Sequence, residues 1–377
     1  MRADARPRSS GPAMSPNFRR RRSRRRRPKT PNTRPEQNSH RRTPRMTKQW
    51  TIDGLNCAGM NREQMEKTLK GNVHAINYTS IRPYASLTDS LLLLEKVRAT
   101  IEEMDDVAFV ATTVADIERA AETNRVGVIL GTQDSTMIEP ETGLLATLKQ
   151  LGIRILQPNY NRPNHYGCGA PQTGPADTGM TEAGAEWLEE MHRLRLVADI
   201  SHCGHKTTSD FIAASKGRPL VISHANSYEV CPSPRNKTDE HIRGVAETGG
   251  LIGGVMWTPA VRHDQRPDMD DFVNHIDRLV KFAGIDHVGF SSDTVESPRP
   301  DPEVWDKSFG PNGPDQNIVG VLGDWFVYEN RLNLGFQSQV DTPKVWDGLA
   351  KRGYSEGDIE KIMRKNWLRV LKDIWGE

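Results

Sequence analysis

The stretch Leu196-Val-Ala-Asp-Ile-Ser-His-Cys-Gly-His-Lys-Thr-Thr-Ser-Asp-Phe-Ile-Ala-Ala-Ser-Lys-Gly-Arg-Pro-Leu-Val-Ile-Ser-His-Ala-Asn-Ser227 holds the fold in miniature. Its apolar run, 196–200, reads as a strand buried on both faces, ends in Ser201-His202 and leads into a helical pattern over 207–215. Gly217-Arg-Pro219 closes that helix, and a second apolar run, 220–223, again ends in a Ser-His pair, Ser223-His224. This is one strand–helix–strand unit of a parallel sheet.

The same alternation extends in both directions. Further strands are expected at 50–53, 73–78, 107–111, 126–130, 153–156, 251–256 and 287–290. A helix is expected over 181–194, and Asp268 caps another whose apolar positions Met269, Phe272, Val273, Ile276, Leu279 and Val280 keep the 3.6 period until Gly284 stops it. Eight or nine such units over roughly 330 residues predict an α/β protein of the (β/α)8 TIM-barrel type rather than an open doubly wound sheet. No glycine fingerprint for a dinucleotide or a P-loop follows any strand, and no internal repeat is visible.

Charge divides the chain into two pieces. Of its 51 Lys+Arg and 49 Asp+Glu, 17 and 2 fall in residues 1–48, leaving 34 and 47 for residues 49–377. The first piece is a disordered Arg-rich tail that cannot bury enough apolar surface to fold, with Met46 read as the true start of translation. A nucleic-acid or targeting role is the alternative for it, and Phe18 alone offers no stacking platform for bases. The barrel then occupies residues 49–377 as an acidic body. Its longest clear apolar stretch, 91–94, is far too short to span a membrane. Cysteines 57, 168, 203 and 231 form no disulfide framework and fit a reducing, cytoplasmic setting.

In a barrel the residues just after the strands share one face. Here they are Asp53-Gly-Leu-Asn-Cys57, Gln133-Asp134, Asn159-Tyr160-Asn161, Ser201-His202, Ser223-His224 and Ser291-Ser-Asp293. Paired imidazoles with a carboxylate nearby suit a divalent ion that lowers the pKa of water, with the carboxylate handling the proton. His205 reads as a helix-start residue, and His165, His241, His263 and His275 as loop or solvent-face residues. Cys203 and Cys231 read as packing residues.

Residues 196–204, 219–227, Cys231-Pro-Ser-Pro-Arg-Asn236 and His287-Val-Gly-Phe-Ser-Ser-Asp293 resemble the membrane (renal) dipeptidase family of zinc metallopeptidases, across residues 50–375. The resemblance implies a TIM barrel of the metallo-dependent hydrolase type. It also implies His202 and His224 as ligands of one zinc, Asp293 as the catalytic aspartate and Arg235 as the grip on a substrate carboxylate. Asn236, beside Arg235, is counted with the substrate-binding residues, and Tyr160 stands where the family has a substrate-polarising histidine.

Three departures limit what carries over. The family's first strand ends in Asp-Gly-His-Asn-Asp, whose His and second Asp bind the other zinc; this chain has Leu55 and Cys57 there. The bridging carboxylate of the family falls at Gln133. Leucine cannot ligate, so the resemblance predicts at most one Zn2+, on His202 and His224, with Gln133 as a weak third ligand or Cys57 if it reaches. The expected activity is hydrolysis of a dipeptide or related small amide, with Asp293 as general base and acid and Tyr160 at the developing oxyanion. The rival expectation is a non-catalytic relative that binds a carboxylate-bearing small molecule. Homodimers are common among the proteins it resembles. Residues 294–340, rich in Pro, Gly and aromatics, are expected to insert at the catalytic end as a lid or subunit contact, or to pack their aromatics on the barrel rim.

Overall fold

The computed structural model describes residues 49–294, 302–310, 313, 318, 322 and 325–377. The basic tail read from residues 1–48 and part of the 294–340 insertion lie outside the described residues.

Among the described residues the expected strands all form: β1 Thr51–Asn56, β2 Val73–Ile81, β3 Ala108–Val110, β4 Val126–Thr132, β5 Ile153–Leu156, β6 Val197–Ala198, β7 Val221–Ile222, β8 Leu251–Val255 and β9 Val288–Ser291. Every residue of β1, β4 and β8 is buried, as the continuous apolar runs require of strands covered on both faces. All pairings are parallel, in the orders β1-β2-β4-β5-β6 and β7-β8-β9. Single bridges join the two arcs into a ring, Asp199 to Val221 on one side and Asn56 to Thr294 on the other. Ile200 N–H donates to Val221 O at 2.8 Å across the first seam, and Asp293 N–H to Leu55 O at 3.0 Å across the second.

The surplus strand is β3. It pairs with Val126–Val128 at the start of β4, whereas β5 pairs with Leu130–Thr132 further along the same strand. β3 therefore lies outside the ring, and the remaining eight strands make the barrel.

Inward side chains from successive strands, among them Ile52, Ala75, Ile129, Ile155, Val197, Val221 and Leu251, form one apolar cluster with Trp367, Val370 and Leu371 of the helix Asn366–Trp375. Trp367 enters so far that a Cβ on Gly54 or Gly289 would stand 2.3 or 2.6 Å from its ring, and its Nε1–H donates to Phe290 O at 3.2 Å. Two glycines in buried strands are thus places where the indole needs the backbone bare. The opposite strand faces pack on helices. One is Met269–Ala283, where Asp268 and Asp271 form the capping box, Phe272, Val273, Ile276 and Leu279 face inward, and Gly284 stops the helix at φ 81°.

Two histidines depart from the sequence reading. His241 and His275 are buried rather than on a solvent face. His275 shares the helical face of Phe272 and Leu279, so the period carries it inward. There its Nδ1 accepts from Ser227 N–H at 3.3 Å and its Nε2 meets Val261 O at 2.9 Å. His241 completes a capping box with Thr238, and its Nε2 lies 2.9 Å from Ser209 Oγ. Burial holds His275 down to about 4 and, with Lys237 and His205 adding repulsion, His241 down to about 3.

An acid-sensitive stability follows. Unfolded histidine takes up its proton near pH 6.5, so between there and about pH 4 the unfolded chain binds more protons than the folded one. Stability then falls with pH by up to about 1.4 kcal/mol per pH unit for each ring. Tm is expected to drop between pH 7 and pH 5, and His275→Gln to flatten that slope even where it lowers the value at pH 7. Calorimetry across the interval checks it; an unchanged slope contradicts the assignment.

Candidate metal and substrate site at the strand ends

The ring brings the sequence-predicted residues to the C-terminal ends of its strands, where they form two lobes. His202 follows β6, His224 follows β7, and their Nε2 atoms stand 3.0 Å apart. The Nδ1 of His202 lies 2.8 Å from Asn161 Oδ1, and the Nδ1 of His224 lies 2.7 Å from Ser223 Oγ. Burial, followed by the nearby Arg235 cation, pushes both rings well below the usual histidine range, so both are neutral at pH 7. Tyr160 stacks on His202 with ring centres 4.0 Å apart.

The second lobe joins the ends of β1, β2, β4 and β9. Cys57 Sγ lies 3.3 Å from Thr79 Oγ1 and donates to Asp293 Oδ1 at 3.8 Å. Gln133 Nε2–H donates to Cys57 Sγ at 3.2 Å and to Thr79 Oγ1 at 3.0 Å. Burial and then the Asp293 charge push the Cys57 thiol far up, so without a metal it stays protonated. Leu55 is buried, with its carbonyl accepting from Asp293 N–H. Asp293 itself holds φ at +48°, a left-handed conformation uncommon outside glycine, which turns its chain back toward β1. Cys57, Tyr160 and Asp293 are part-exposed, and they mark the approach from solvent.

Arg235 is buried between the lobes. Its guanidinium donates to Ser201 O at 2.5 Å and to His224 O at 3.4 Å, bracing the two histidine loops, and it feels the charge of Asp293. Asn236, grouped with it in the sequence reading, commits its amide to the scaffold. Its Oδ1 accepts from Asn226 N–H at 3.0 Å, and its Nδ2 donates to Cys231 O at 2.9 Å and Ala260 O at 2.8 Å. His205 begins the helix His205–Ala214 as expected, and Cys203 and Cys231 are buried packing residues.

Sequence reasoning overlooked the polar frame beneath the site. Asp199, fully buried at the end of β6, binds both Ser-His loops, and its one signal was a charge inside an apolar run. Lys237 is also fully buried, its ammonium donating to Cys203 O at 2.6 Å and Thr208 Oγ1 at 3.0 Å. Burial lowers it to about 7. Tyr84 sets Tyr160 edge to face and accepts from Asn161 N–H at 3.1 Å. Nothing in its sequence surroundings marks that role.

The first lobe fits a single cation. Zn–N bonds of 2.0–2.1 Å at a tetrahedral angle place two ligating nitrogens about 3.3 Å apart, a few tenths of an ångström more than the 3.0 Å between these Nε2 atoms. Among the described residues no group of three or more His, Cys, Asp or Glu is arranged to hold a metal. The second lobe offers a protonated thiol, an amide and a hydroxyl beside one carboxylate, a donor set that does not suit a second dication.

A parallel barrel with an imidazole pair and a carboxylate at its strand ends is the layout of a metal-assisted hydrolase. A family model described as membrane dipeptidase (peptidase family M19) matches residues 35–303. An uncharacterized protein of the pqqA 5′ region of Klebsiella pneumoniae is 29% identical over 274 residues, covering 70% of this chain and 88% of that one. An amidohydrolase structure from Pseudomonas aeruginosa, 29% identical, superposes with a TM-score of 0.77 over 87% of this chain and 97% of that one. A metallo peptidase from Rhodobacter sphaeroides, liganded with a phosphinate mimic of the dipeptide L-Ala-D-Ala, shares the fold at 20% identity, with a TM-score of 0.71 over 86% and 99% of the two chains. The chain belongs to the membrane dipeptidase family, metal-dependent hydrolases of peptide and amide bonds. No described helix is long and apolar enough to cross a membrane.

Proposed function

We propose that the protein hydrolyses a dipeptide or related small amide with one metal ion, zinc, held by His202 and His224. The observation that carries this reading is the facing pair of neutral imidazoles at 3.0 Å. When bound, the ion would polarise the scissile carbonyl and make water a better nucleophile at neutral pH.

The chain's own residues supply the rest. Asp293 Oδ1 can hold the proton taken from water and return it to the leaving amine. The Arg235 guanidinium, buried beside the histidine loops, attracts a substrate carboxylate, and the part-exposed Tyr160 hydroxyl donates to the carbonyl oxygen as it gains charge. Gln133 and Cys57 fill the second lobe with a neutral hydrogen-bonded cluster instead of a second ion. Of the insertion at 294–340, the described residues Trp305, Phe309, Trp325 and Phe326 gather with Ile318 and Leu322 on Trp257, just past β8 at the same barrel end.

Metal content measured alongside a dipeptide panel tests the reading. One ion per chain with hydrolysis is the expected result; no ion and no hydrolysis of any dipeptide, with Zn2+ added, overturns it. Asp293→Asn is expected to lower kcat by about 10²–10⁴ with little change in KM, the usual worth of a positioned general base. Arg235→Lys, which loses the planar fork, is expected to raise KM for dipeptides with a free carboxylate and to leave their C-terminal amides nearly unaffected. Equal effects on both substrate sets would remove Arg235 from the carboxylate site.

A further inference from the structure

Neither imidazole in the first lobe has a free choice of tautomer. Asp199 is fully buried and collects five donors: Ser201 N–H at 3.1 Å, Ser201 Oγ–H, Ser223 N–H at 3.0 Å, Ser223 Oγ–H at 2.6 Å and Gln157 Nε2–H at 2.8 Å. Burial raises this carboxyl above its ordinary range while the serine hydrogen bonds pull it back, and a carboxylate ringed by donors accepts from all of them. Both serine protons are therefore committed to Asp199. Ser223 Oγ, 2.7 Å from His224 Nδ1, has only lone pairs left for the ring, so that Nδ1 must carry hydrogen. Ser201 Oγ in turn accepts His224 N–H at 3.2 Å and fixes the backbone of the same residue. On the other ring, a carbonyl oxygen, Asn161 Oδ1, lies 2.8 Å from His202 Nδ1, which places hydrogen there too.

Both Nε2 atoms are left with bare lone pairs, facing each other at 3.0 Å. We infer that Asp199, acting through Ser223, and Asn161 are positioning residues that hold His224 and His202 as Nδ1–H tautomers, so that two lone pairs converge on one divalent cation. The inference rests on reading the pair as metal ligands. Its distinctive element is the relay: the carboxylate reaches the imidazole through a serine hydroxyl, whose direction of donation it sets.

Long-range 1H–15N spectra of the full chain with labelled histidines, recorded metal-free and with Zn2+ alone, report the tautomers. Competition against a chelating dye reports Zn2+ affinity. The expected result is Nδ1–H on both rings in the unaltered chain. Asp199→Asn lets the new amide donate to Ser223, and Ser223→Ala removes the acceptor. Each is expected to move the His224 proton to Nε2 and weaken Zn2+ binding about 10–100-fold, the usual cost of losing an outer partner of a ligating histidine. Ser223→Thr, which keeps the hydroxyl, is expected to retain both properties. Where the substitutions at 199 or 223 do not fold, Asn161→Ala carries the test on His202. Nε2–H on His224 in the unaltered chain, or folded variants with unchanged tautomer and affinity, overturns the inference. A chain that takes up no Zn2+ yet shows Nδ1–H on both rings sinks the metal reading and leaves the positioning network standing.

Discussion

His224→Ala is expected to strip the protein of its metal and abolish hydrolysis, and His202→Ala to do the same. Among the described residues two nitrogens, the facing Nε2 atoms, meet at the proposed ion position, so removing either leaves a single imidazole to compete with water. The affinity loss should exceed about 100-fold, the upper end for an outer partner, because a direct ligand is lost. Both rings are buried in a dense hydrogen-bonded frame, so each truncation also costs stability, and melting curves must show folded protein before metal is counted. Plasma emission analysis of dialysed protein gives the answer. Full metal occupancy in folded His224→Ala would place the ion elsewhere and end the present assignment.

The second large effect runs in the opposite direction. Replacing Leu55 by His, Cys57 by Asp and Gln133 by Glu, the residue types of the family pattern, is expected to raise bound metal from one to two ions per chain. The three positions lie together: Leu55 is pinned by Asp293 N–H, Cys57 Sγ lies 3.8 Å from Asp293 Oδ1, and Gln133 Nε2 lies 3.2 Å from Cys57 Sγ. What is missing is charge. New carboxylates at 57 and 133 would crowd Asp293, and three like charges in one cleft repel unless a dication lies among them. The triple variant without metal should therefore melt below the unaltered chain and regain stability with Zn2+. If it binds one ion, with no metal-dependent gain in Tm, the residues at 55, 57 and 133 do not set the stoichiometry.

Much of this layout is legible from the residues. Strands buried on both faces announce themselves as unbroken apolar runs, which is why β4 and β8 are found nearly residue for residue. The helix over 269–283 shows its cap, its period and its glycine stop. β3 misleads because a short apolar run looks alike inside the ring and beside it; only the competition between β3 and β5 for one edge of β4 decides. The histidines show the same limit. His202 and His224 stand out by repeated context, whereas His275 and His241 sit on helices whose polar neighbours conceal the inward face. The joint role of Asp199, Ser201 and Ser223 escapes notice for a different reason. Their role depends on which proton each hydroxyl gives away, and a string of letters does not record that direction.

The indole of Trp367 fixes an order of events during synthesis. It fills the floor of the ring, yet residues 366–375 leave the ribosome after every strand, and β1 must wait for β9 across more than two hundred residues before Asn56 meets Thr294. Until then the nascent chain carries open strand edges and an uncovered inner layer, the kind of surface that chaperones bind and that aggregates when they do not. The strands that carry the histidine pair are among those whose inner side chains this helix covers.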